Sequence, residues 1–287
     1  MKMKLLPLLT LVTTIGLTGC ITNEKATDAA NTSGEKNLLK VGMECAYAPF
    51  NWTQESELLS NGEKAQPIFG TDDYSYGYDV MMAEKLAEEL GYDGVEIHRS
   101  EWDSLGMGLE VGDFDCIIAG MSVNPDRAKV YDFTNTYYNR ETVITVKKGG
   151  PYENITKLSE FEGSGATVTT QIGTAWVNLI PQIPGVTETA NYATTAECFL
   201  AVSNQTADIT VIDLPTTQSA LLTNDDLVVL NLEEGFEDTT TNVCIAVKKG
   251  DATLQEKINK GLESLEWNDE KMNEMMQEAI LLQPANN

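Results

Sequence analysis

The chain has 287 residues, which is enough for one large domain or for two smaller lobes with cores of their own. Hydrophobic residues make up 42% of the sequence and charged residues 22%, so disordered and collagen-like classes are excluded. Nineteen Lys and Arg residues stand against 44 Asp and Glu residues, a formal net charge of −25. Such an acidic surface repels phosphate backbones, which argues against nucleic acid as a partner and against binding anionic lipid by charge alone.

The N-terminal segment predicts export. A lysine-containing start precedes a short apolar run without charge, and small residues follow, which is the order found in secretory signal peptides. The run is too short to span a membrane. Leu17-Thr18-Gly19-Cys20 resembles the lipobox of bacterial lipoproteins, in which the cysteine is lipidated and becomes the mature N-terminus. We expect residues 1–19 to be a lipoprotein signal peptide and Cys20 to anchor the protein to the outer face of the cell membrane. The alternative is an ordinary cleaved signal with a chance cysteine.

Residues 20–37 are predicted to form a flexible tether between the lipid and the folded part. The segment is rich in Thr, Asn, Ala, Ser and Glu, and it has neither an aromatic residue nor an apolar period. No later stretch of the sequence has the length and hydropathy of a membrane span.

The other cysteines and the single histidine do not predict a metal or redox site. The spacings of Cys45, Cys116, Cys198 and Cys244 match no zinc or redox motif, although export permits disulfides. Cys116 and Cys244 lie inside apolar runs, where a thiol packs as a small hydrophobic side chain. His98 has no neighbouring set of ligands, and a metal site needs more donors. We therefore expect no metal and no cofactor.

From residue 38 onward, strand-like and helix-like segments alternate. Asp79 is predicted to be the N-cap of a helix that ends at Gly91. The predicted strands are residues 38–45, 95–97, 115–120, 143–148, 166–170, 209–212 and 243–247. The predicted helices are residues 80–90, 104–110, 174–180, 195–202 and 215–222, then two closing helices lined by Leu254, Ile258, Leu262 and Leu265 and by Met272, Met275, Met276, Ala279 and Ile280. The methionine-rich helix is expected to pack in the core rather than to bind a partner.

This alternation of strands and helices indicates an α/β fold with mostly parallel sheets. Because two such runs follow each other along the chain, we expect two lobes. In open α/β sheets, ligands lie beyond the carboxyl ends of the strands. When two lobes face each other, those ends can meet across a cleft. The residues directly after the strands are therefore the candidates for ligand contacts.

The residues after the strands suit an amino-acid zwitterion. Arg127 offers a bidentate guanidinium for a carboxylate, and the helix start at Thr174 offers backbone N–H groups. Asp213, the Ser122 hydroxyl and the Gly120 carbonyl are acceptors for an ammonium group. Hydrogen bonds to charged groups contribute roughly 1.5–3 kcal/mol each, so five of them exceed the roughly 8 kcal/mol of a micromolar complex.

Two aromatic residues, Tyr47 and Trp102, could stack on the ligand side chain. Each candidate also has a structural interpretation: a surface ion pair for Arg127, a helix cap for Asp213, turn or cap positions for Ser122 and Thr174, and core packing for Tyr47 and Trp102. Their joint placement after strands favours the functional interpretation.

Four stretches carry a family resemblance: residues 41–44 (VGME) through 47–50 (YAPF); residues 77–80 (GYDV) with the helix behind them; residues 102–105 (WDSL) with 112–127 (GDFDCIIAGMSVNPDR), 130–134 and 137–138; and residues 171–174 (QIGT) with 207–209 and Asp213. They resemble the amino-acid-binding branch of bacterial solute-binding proteins, the receptors of ABC importers. The likeness covers nearly all of residues 38–287, and its third stretch is highly specific.

The resemblance implies a type II periplasmic-binding-protein-like fold with two lobes, two hinge strands and a ligand cleft between the lobes. Lobe 1 would comprise residues 38–139 and 242–287, and lobe 2 residues 140–241. The family pattern implies these roles: Arg127 holds the ligand carboxylate with the amides of Thr174 and Ser122; Asp213 holds the ammonium with the Gly120 carbonyl and the Ser122 hydroxyl; Tyr47 and Trp102 line the side-chain pocket, and Glu44 lies near its end.

The chain departs from the family pattern at three places. Glu44 stands where many members have Asp, the segment from residue 53 to 76 is longer than usual, and Ala175 and Trp176 follow Thr174 where some members have small polar residues. Within the long segment, Asp72, Asp73, Tyr74 and Tyr76 are candidates for the edge of the cleft. Glu44 and the aromatic pair suit a basic side chain, and a polar neutral side chain such as that of glutamine fits nearly as well.

The sequence therefore predicts a monomeric extracytoplasmic lipoprotein that binds a polar amino acid, with a lean to arginine or lysine, and delivers it to the permease of an ABC importer. One alternative is a cyclohexadienyl-dehydratase-like enzyme on the same fold, with Glu44 as its general acid. Such an enzyme has less need of the Asp213 carboxylate, so we expect no enzymatic activity. A tethered amino-acid sensor that binds without import is the second alternative.

Overall fold

The structure is a computed structural model that describes residues 36–237 and 242–284. The predicted signal peptide, Cys20 and nearly all of the predicted tether lie outside the described residues. Within those two ranges, no helix combines the length and the hydropathy that crossing a membrane requires.

The elements follow the predicted alternation of strands and helices. The strands are β1 (Leu38–Met43), β2 (Ala46–Tyr47), β3 (Asn51–Gln54), β4 (Gln66–Pro67), β5 (Tyr74–Tyr76), β6 (Gly94–Arg99), β7 (Cys116–Ile117), β8 (Tyr131–Asn139), β9 (Thr142–Lys147), β10 (Thr167–Thr169), β11 (Thr187–Glu188), β12 (Ile209–Asp213), β13 (Leu227–Val229) and β14 (Asn242–Lys248). The α-helices are α1 (Tyr78–Glu89), α2 (Leu105–Val111), α3 (Arg127–Val130), α4 (Thr195–Ser203), α5 (Leu214–Leu221), α6 (Ala252–Ser264) and α7 (Asp269–Leu282). Short 3-10 helices cover Trp102–Ser104, Leu158–Phe161 and Ala175–Gln182.

Two five-stranded sheets form the centres of the two lobes. The first sheet has the order β6-β1-β7-β14-β8 and the second the order β11-β10-β12-β9-β13. In each sheet one strand, β14 or β9, runs antiparallel to both of its neighbours, and the other strands share one direction. The sheets are therefore mostly parallel, as predicted. The chain passes from the first sheet to the second between β8 and β9 and returns between β13 and β14.

The long segment after the first strand builds a small sheet of its own. Strands β2, β3, β5 and β4 form an antiparallel sheet in that order. Ile68 pairs with Ile97 of β6, which joins this third sheet to the edge of the first. Tyr76 packs edge-on against Trp52 and donates a hydrogen bond to Glu63. The aromatic side chain of Tyr76 therefore serves the packing of this sheet.

Helix α1 begins earlier than predicted, and the prediction that Asp79 caps it is wrong. Gly77 is the N-cap, with a φ of 127°, and a Cβ there would lie 2.4 Å from the carbonyl oxygen of Phe50. Asp79 is instead buried in the first turn, where it accepts hydrogen bonds from Asn51 Nδ2 (2.7 Å) and the Tyr137 hydroxyl (2.6 Å). Burial raises the pKa of Asp79 to about 6, against the opposing effect of these two hydrogen bonds.

Two predicted elements have other bounds in the structure. Only Cys116–Ile117 of the predicted strand 115–120 is a strand, and Gly120 takes a left-handed φ of 59°. The predicted helix 174–180 is the 3-10 helix Ala175–Gln182, which contains Pro181 instead of stopping before it.

The buried side chains agree with the predicted core. The methionines of α7 are buried, so the prediction that they pack in the core is confirmed. Cys45, Cys116, Cys198 and Cys244 are free thiols and are also buried, as the apolar runs around Cys116 and Cys244 predicted. His98 contacts Glu96 and stacks on Phe69.

Candidate functional site

A cavity lies where the loops after the strands of the two sheets approach each other. Its lining includes six of the eight predicted ligand-binding residues: Glu44, Tyr47, Trp102, Gly120, Arg127 and Thr174. It also includes five residues that were not predicted: Ala119, Arg140, Gln171, Ala175 and Trp176. The other two predicted residues, Ser122 and Asp213, are buried directly behind the lining, at 1% and 0% exposure.

Arg127 is the first residue of α3 and spans from one lobe to the other. The Asn124 side chain accepts a hydrogen bond from its backbone N–H (2.8 Å) and so fixes the turn that presents it. The guanidinium donates to the Ser122 carbonyl (2.8 Å), after β7, and to the Gly173 carbonyl (3.1 Å), after β10. Its Cζ lies 5.1 Å from the centre of the Trp102 ring. The guanidinium is thus held in a fixed plane at the cavity wall.

The guanidinium of Arg127 keeps its charge in this partly buried position. Burial, together with the positive charge of Arg140, lowers the pKa of Arg127 to about 10. This value is above neutral pH, so the group remains a cation. A fixed planar cation with further N–H groups is suited to bind a carboxylate through two parallel hydrogen bonds.

Asp213 ends β12 and is fully buried. One carboxylate oxygen caps α5 by accepting from the Thr216 N–H (2.9 Å), so the structural interpretation of Asp213 as a helix cap is correct. The other oxygen accepts from the Tyr47 hydroxyl (2.5 Å). Tyr47 itself stacks on Phe50, with ring centres 4.7 Å apart. Each carboxylate oxygen can accept a second hydrogen bond, so these contacts leave acceptor capacity for an ammonium group.

Glu44 follows β1, and its carboxyl group changes charge near neutral pH. The residue is 6% exposed, and its Oε1 accepts from Gln171 Nε2 (3.1 Å) on the opposite lobe. Burial raises the pKa of Glu44 to about 7, and the hydrogen bond from Gln171 opposes the shift. The acids Glu101 and Asp103 raise the pKa further. Near neutral pH the side chain therefore exists both as a neutral donor and as a carboxylate.

Gly120, Ser122 and Thr174 supply the smaller polar groups. The Gly120 N–H donates to the Tyr137 hydroxyl (3.0 Å), and Tyr137 donates to Asp79, so the buried acid of α1 supports the turn that holds Gly120. The hydroxyl of Ser122 is buried and, among residues 36–237 and 242–284, has no hydrogen-bond partner. Thr174 is the N-cap of the 3-10 helix, and its hydroxyl donates to the Gln171 carbonyl (2.7 Å). A buried hydroxyl behind a cavity wall is available to a ligand group.

Sequence reasoning missed the second arginine of the cavity. Arg140 lies between β8 and β9, where the chain crosses between the sheets, and is 6% exposed. Its Nη1 donates to the Gly120 carbonyl (2.7 Å) and lies 3.3 Å from the Tyr47 hydroxyl oxygen. The guanidinium also lies over the Trp176 ring, 5.2 Å from its centre. Arg140 was not selected because it lies in the crossing and not directly after a predicted strand. The small number of arginines, three in the whole chain, was a signal that could have drawn attention to it.

The candidates from the long segment lie apart from the cavity. Asp72, Asp73, Tyr74 and Tyr76 are not among the residues that line it. Asp73 pairs with Arg99 at the surface (3.4 Å), and Tyr76 lies within the third sheet. Gln171 and Trp176, by contrast, follow β10 in the same stretch as Thr174, and the rule that selected Thr174 also applies to them.

A cavity between two α/β lobes, lined by two arginines, a carboxylate and aromatic rings, is typical of a binding protein for a small charged molecule. Residues 39–279 match the family model described as bacterial extracellular solute-binding proteins, family 3. This match covers most of the chain, so the chain belongs to that family.

The relatives agree with this assignment. The "Arginine-binding extracellular protein ArtP" of Bacillus subtilis (strain 168) is 26% identical over 274 residues, which cover 94% of this chain and 95% of the relative. The solved structure of the P235GK mutant of ArgBP from T. maritima is 26% identical, with a TM-score of 0.66 and coverage of 85% of this chain and 96% of that one. The L-arginine-bound substrate-binding protein AbpA from Streptococcus pneumoniae is 20% identical, with a TM-score of 0.68 and coverage of 86% and 97%, and it supports the fold alone.

The chain is therefore a bacterial extracellular solute-binding protein of family 3 with the two-lobed type II fold. The predicted fold class is confirmed. The relatives compared are named as binding proteins, and the prediction of a binding protein rather than an enzyme is confirmed on that ground.

Proposed function

We propose that this protein is a lipid-anchored receptor that captures a basic amino acid, arginine first, for the permease of an ABC importer. The observation that carries the proposal is the composition of one cavity. It joins the Arg127 guanidinium, suited to a carboxylate, with the Glu44 carboxylate and the Trp102 and Trp176 rings, suited to a basic side chain. The names of arginine-binding relatives point the same way.

Within this proposal, the residues have the roles that the family pattern implies. Arg127 binds the carboxylate with the amides of Thr174 and Ser122, and Asp213 binds the ammonium with the Gly120 carbonyl and the Ser122 hydroxyl. Tyr47, Trp102 and Glu44 contact the side chain. Residues 38–139 with 242–287 form lobe 1 and residues 140–241 form lobe 2, which is in keeping with the two crossings between the sheets.

A thermal-shift screen of the purified protein against the twenty amino acids, ornithine, citrulline and cystine tests this function. A ligand present at one hundred times its Kd stabilises the folded protein by about 2.7 kcal/mol, which is a readily measured shift. A large shift with arginine or lysine supports the proposal. No shift with any amino acid, after mass spectrometry has excluded a co-purified ligand, contradicts it.

The pH dependence of binding is expected to separate a basic from a neutral ligand. The pKa of Glu44 is about 7, so its ionised fraction rises by about tenfold from pH 6 to pH 8. A cationic side chain binds the ionised form better, so the Kd for arginine is expected to fall by up to about tenfold over this range. Isothermal titration of arginine and glutamine at several pH values measures the difference.

Glu44→Gln is the matched control, because it keeps the size and polarity of the side chain without the proton equilibrium. In this variant, the pH dependence of arginine binding is expected to flatten. Affinity for arginine that stays constant between pH 6 and pH 8 in the unmodified protein would show that Glu44 does not contact the ligand side chain.

The proposed anchor is tested separately from binding. Cys20→Ala removes the proposed lipidated sulfur, so the protein is expected to move from the membrane fraction to the soluble fraction of the cell. Cys244→Ala changes a buried thiol of β14 and serves as the control. An unchanged membrane fraction for Cys20→Ala would contradict lipid anchoring at this residue.

A further inference from the structure

Arg140 places a cation among the groups that recognise the amino end of the ligand. The Arg140 Nη1 donates to the Gly120 carbonyl at 2.7 Å and lies 3.3 Å from the Tyr47 hydroxyl. Tyr47 in turn donates to the Asp213 carboxylate. The positive charge of Arg140 thus connects to Asp213 through one hydroxyl. These contacts involve two of the groups, Gly120 and Asp213, that are proposed to bind the ligand ammonium.

Two cations that share these acceptors oppose each other. The Gly120 carbonyl has two lone pairs, so it can accept a hydrogen bond from the ligand ammonium as well as from Arg140. Both donors are then bound to one oxygen atom, and the ammonium lies close to the guanidinium. Like charges at such a separation disfavour each other, particularly in a buried site. The effect of Arg140 on Arg127 shows that its charge is felt across the cavity, since it lowers the pKa of that second guanidinium.

The packing of Arg140 makes this a fixed feature of the cavity wall. The guanidinium lies over the Trp176 ring at 5.2 Å, and the residue is 6% exposed. Its backbone lies in the crossing from β8 to β9, which also ties the two lobes together. A stacked, hydrogen-bonded guanidinium moves away only at a cost in free energy.

We propose that Arg140 is a specificity-determining residue that weakens recognition of the α-ammonium group and so reduces the advantage of an α-amino acid over a ligand that lacks this group. This inference rests on the proposed function. It implies that the cavity discriminates less by the amino end and more by the carboxylate and the side chain. Acids that share the side chain but lack the α-amino group are thus expected to compete better than they would without Arg140.

The test compares L-arginine with its desamino analogue, which keeps the carboxylate and the guanidinium but lacks the α-amino group. Isothermal titration gives both Kd values for the unmodified protein and for Arg140→Ala. Removing one like charge and one competing donor is expected to raise the preference for arginine over the analogue by about tenfold. Arg140→Gln keeps a donor without the charge and is expected to gain similarly, whereas Arg140→Lys keeps the charge and is expected to gain least.

Arg99→Ala is the control for the loss of a cation, because Arg99 pairs with Asp73 at the surface. Thermal unfolding of every variant identifies those that fail to fold, and Arg140→Gln then carries the comparison. If the preference for arginine over the analogue rises by less than about threefold in the Arg140 variant, or falls, the inference is overturned. The proposed function still stands in that case, provided that the unmodified protein binds arginine. If the unmodified protein binds no amino acid, the proposed function fails and the inference falls with it.

Discussion

Arg127→Ala is expected to weaken amino-acid binding by at least about a hundredfold. The guanidinium is held by the Ser122 and Gly173 carbonyls and by the Trp102 ring, so it meets a carboxylate without losing much side-chain freedom. Truncating one partner of a buried charge pair costs about 2–5 kcal/mol, and about 2.7 kcal/mol corresponds to a hundredfold change in Kd. Isothermal titration with the amino acid found in the screen measures the loss.

The experiment must separate binding of the carboxylate from closure of the lobes, since Arg127 contacts both sides of the cleft. Agmatine, which is arginine without its carboxylate, makes this separation. If Arg127 binds the carboxylate, agmatine binds the unmodified protein and Arg127→Ala with similar weak affinity. Arg127→Lys keeps the charge but loses the planar fork, so an intermediate loss for arginine is expected.

Arg99→Ala again provides the matched control, because the Arg99–Asp73 pair is exposed and exposed pairs contribute little. This variant is expected to bind the amino acid like the unmodified protein. Arginine binding by Arg127→Ala within about threefold of the unmodified value would exclude Arg127 as the carboxylate ligand.

Much of the site could be predicted because one geometric rule governs it. Ligands of open α/β sheets lie beyond the carboxyl ends of the strands, and Glu44, Arg127, Thr174 and Asp213 each follow or end a strand-like run. Six of the eight residues chosen in this way line one cavity. The rule depends only on the order of strands and helices, which apolar periodicity reveals well.

The features that could not be predicted from the sequence depend on contacts between distant parts of the chain. Arg140 reaches Gly120 from the crossing between two sheets, and no local pattern indicates where a crossing directs its side chain. Aspartate is a residue type that often caps a helix, yet Asn51 and Tyr137, far away in sequence, donate hydrogen bonds to the Asp79 carboxylate. A local propensity is overridden in such cases by tertiary hydrogen bonds that satisfy a buried charge.

Asp213 combines a local role with a role between distant parts of the chain, because it is a helix cap and a proposed ligand residue at once. Its two carboxylate oxygens divide the existing contacts, one towards the Thr216 N–H and one towards the Tyr47 hydroxyl. Asparagine has nearly the same shape and is about as good an N-cap as aspartate. Asp213→Asn therefore removes the charge and leaves the start of α5 intact.

We expect Asp213→Asn to weaken amino-acid binding by about a hundredfold, because an ammonium in a buried site loses its ionised partner. Asp251→Asn is the matched control, since Asp251 caps α6 through the Leu254 N–H (3.0 Å) and is not among the cavity residues. The control is expected to bind normally. Thermal unfolding of both variants tests whether the caps survive. If Asp213→Asn unfolds like the unmodified protein and binds the amino acid as tightly, the carboxylate of Asp213 serves the helix alone, and the ammonium must be bound elsewhere in the cavity.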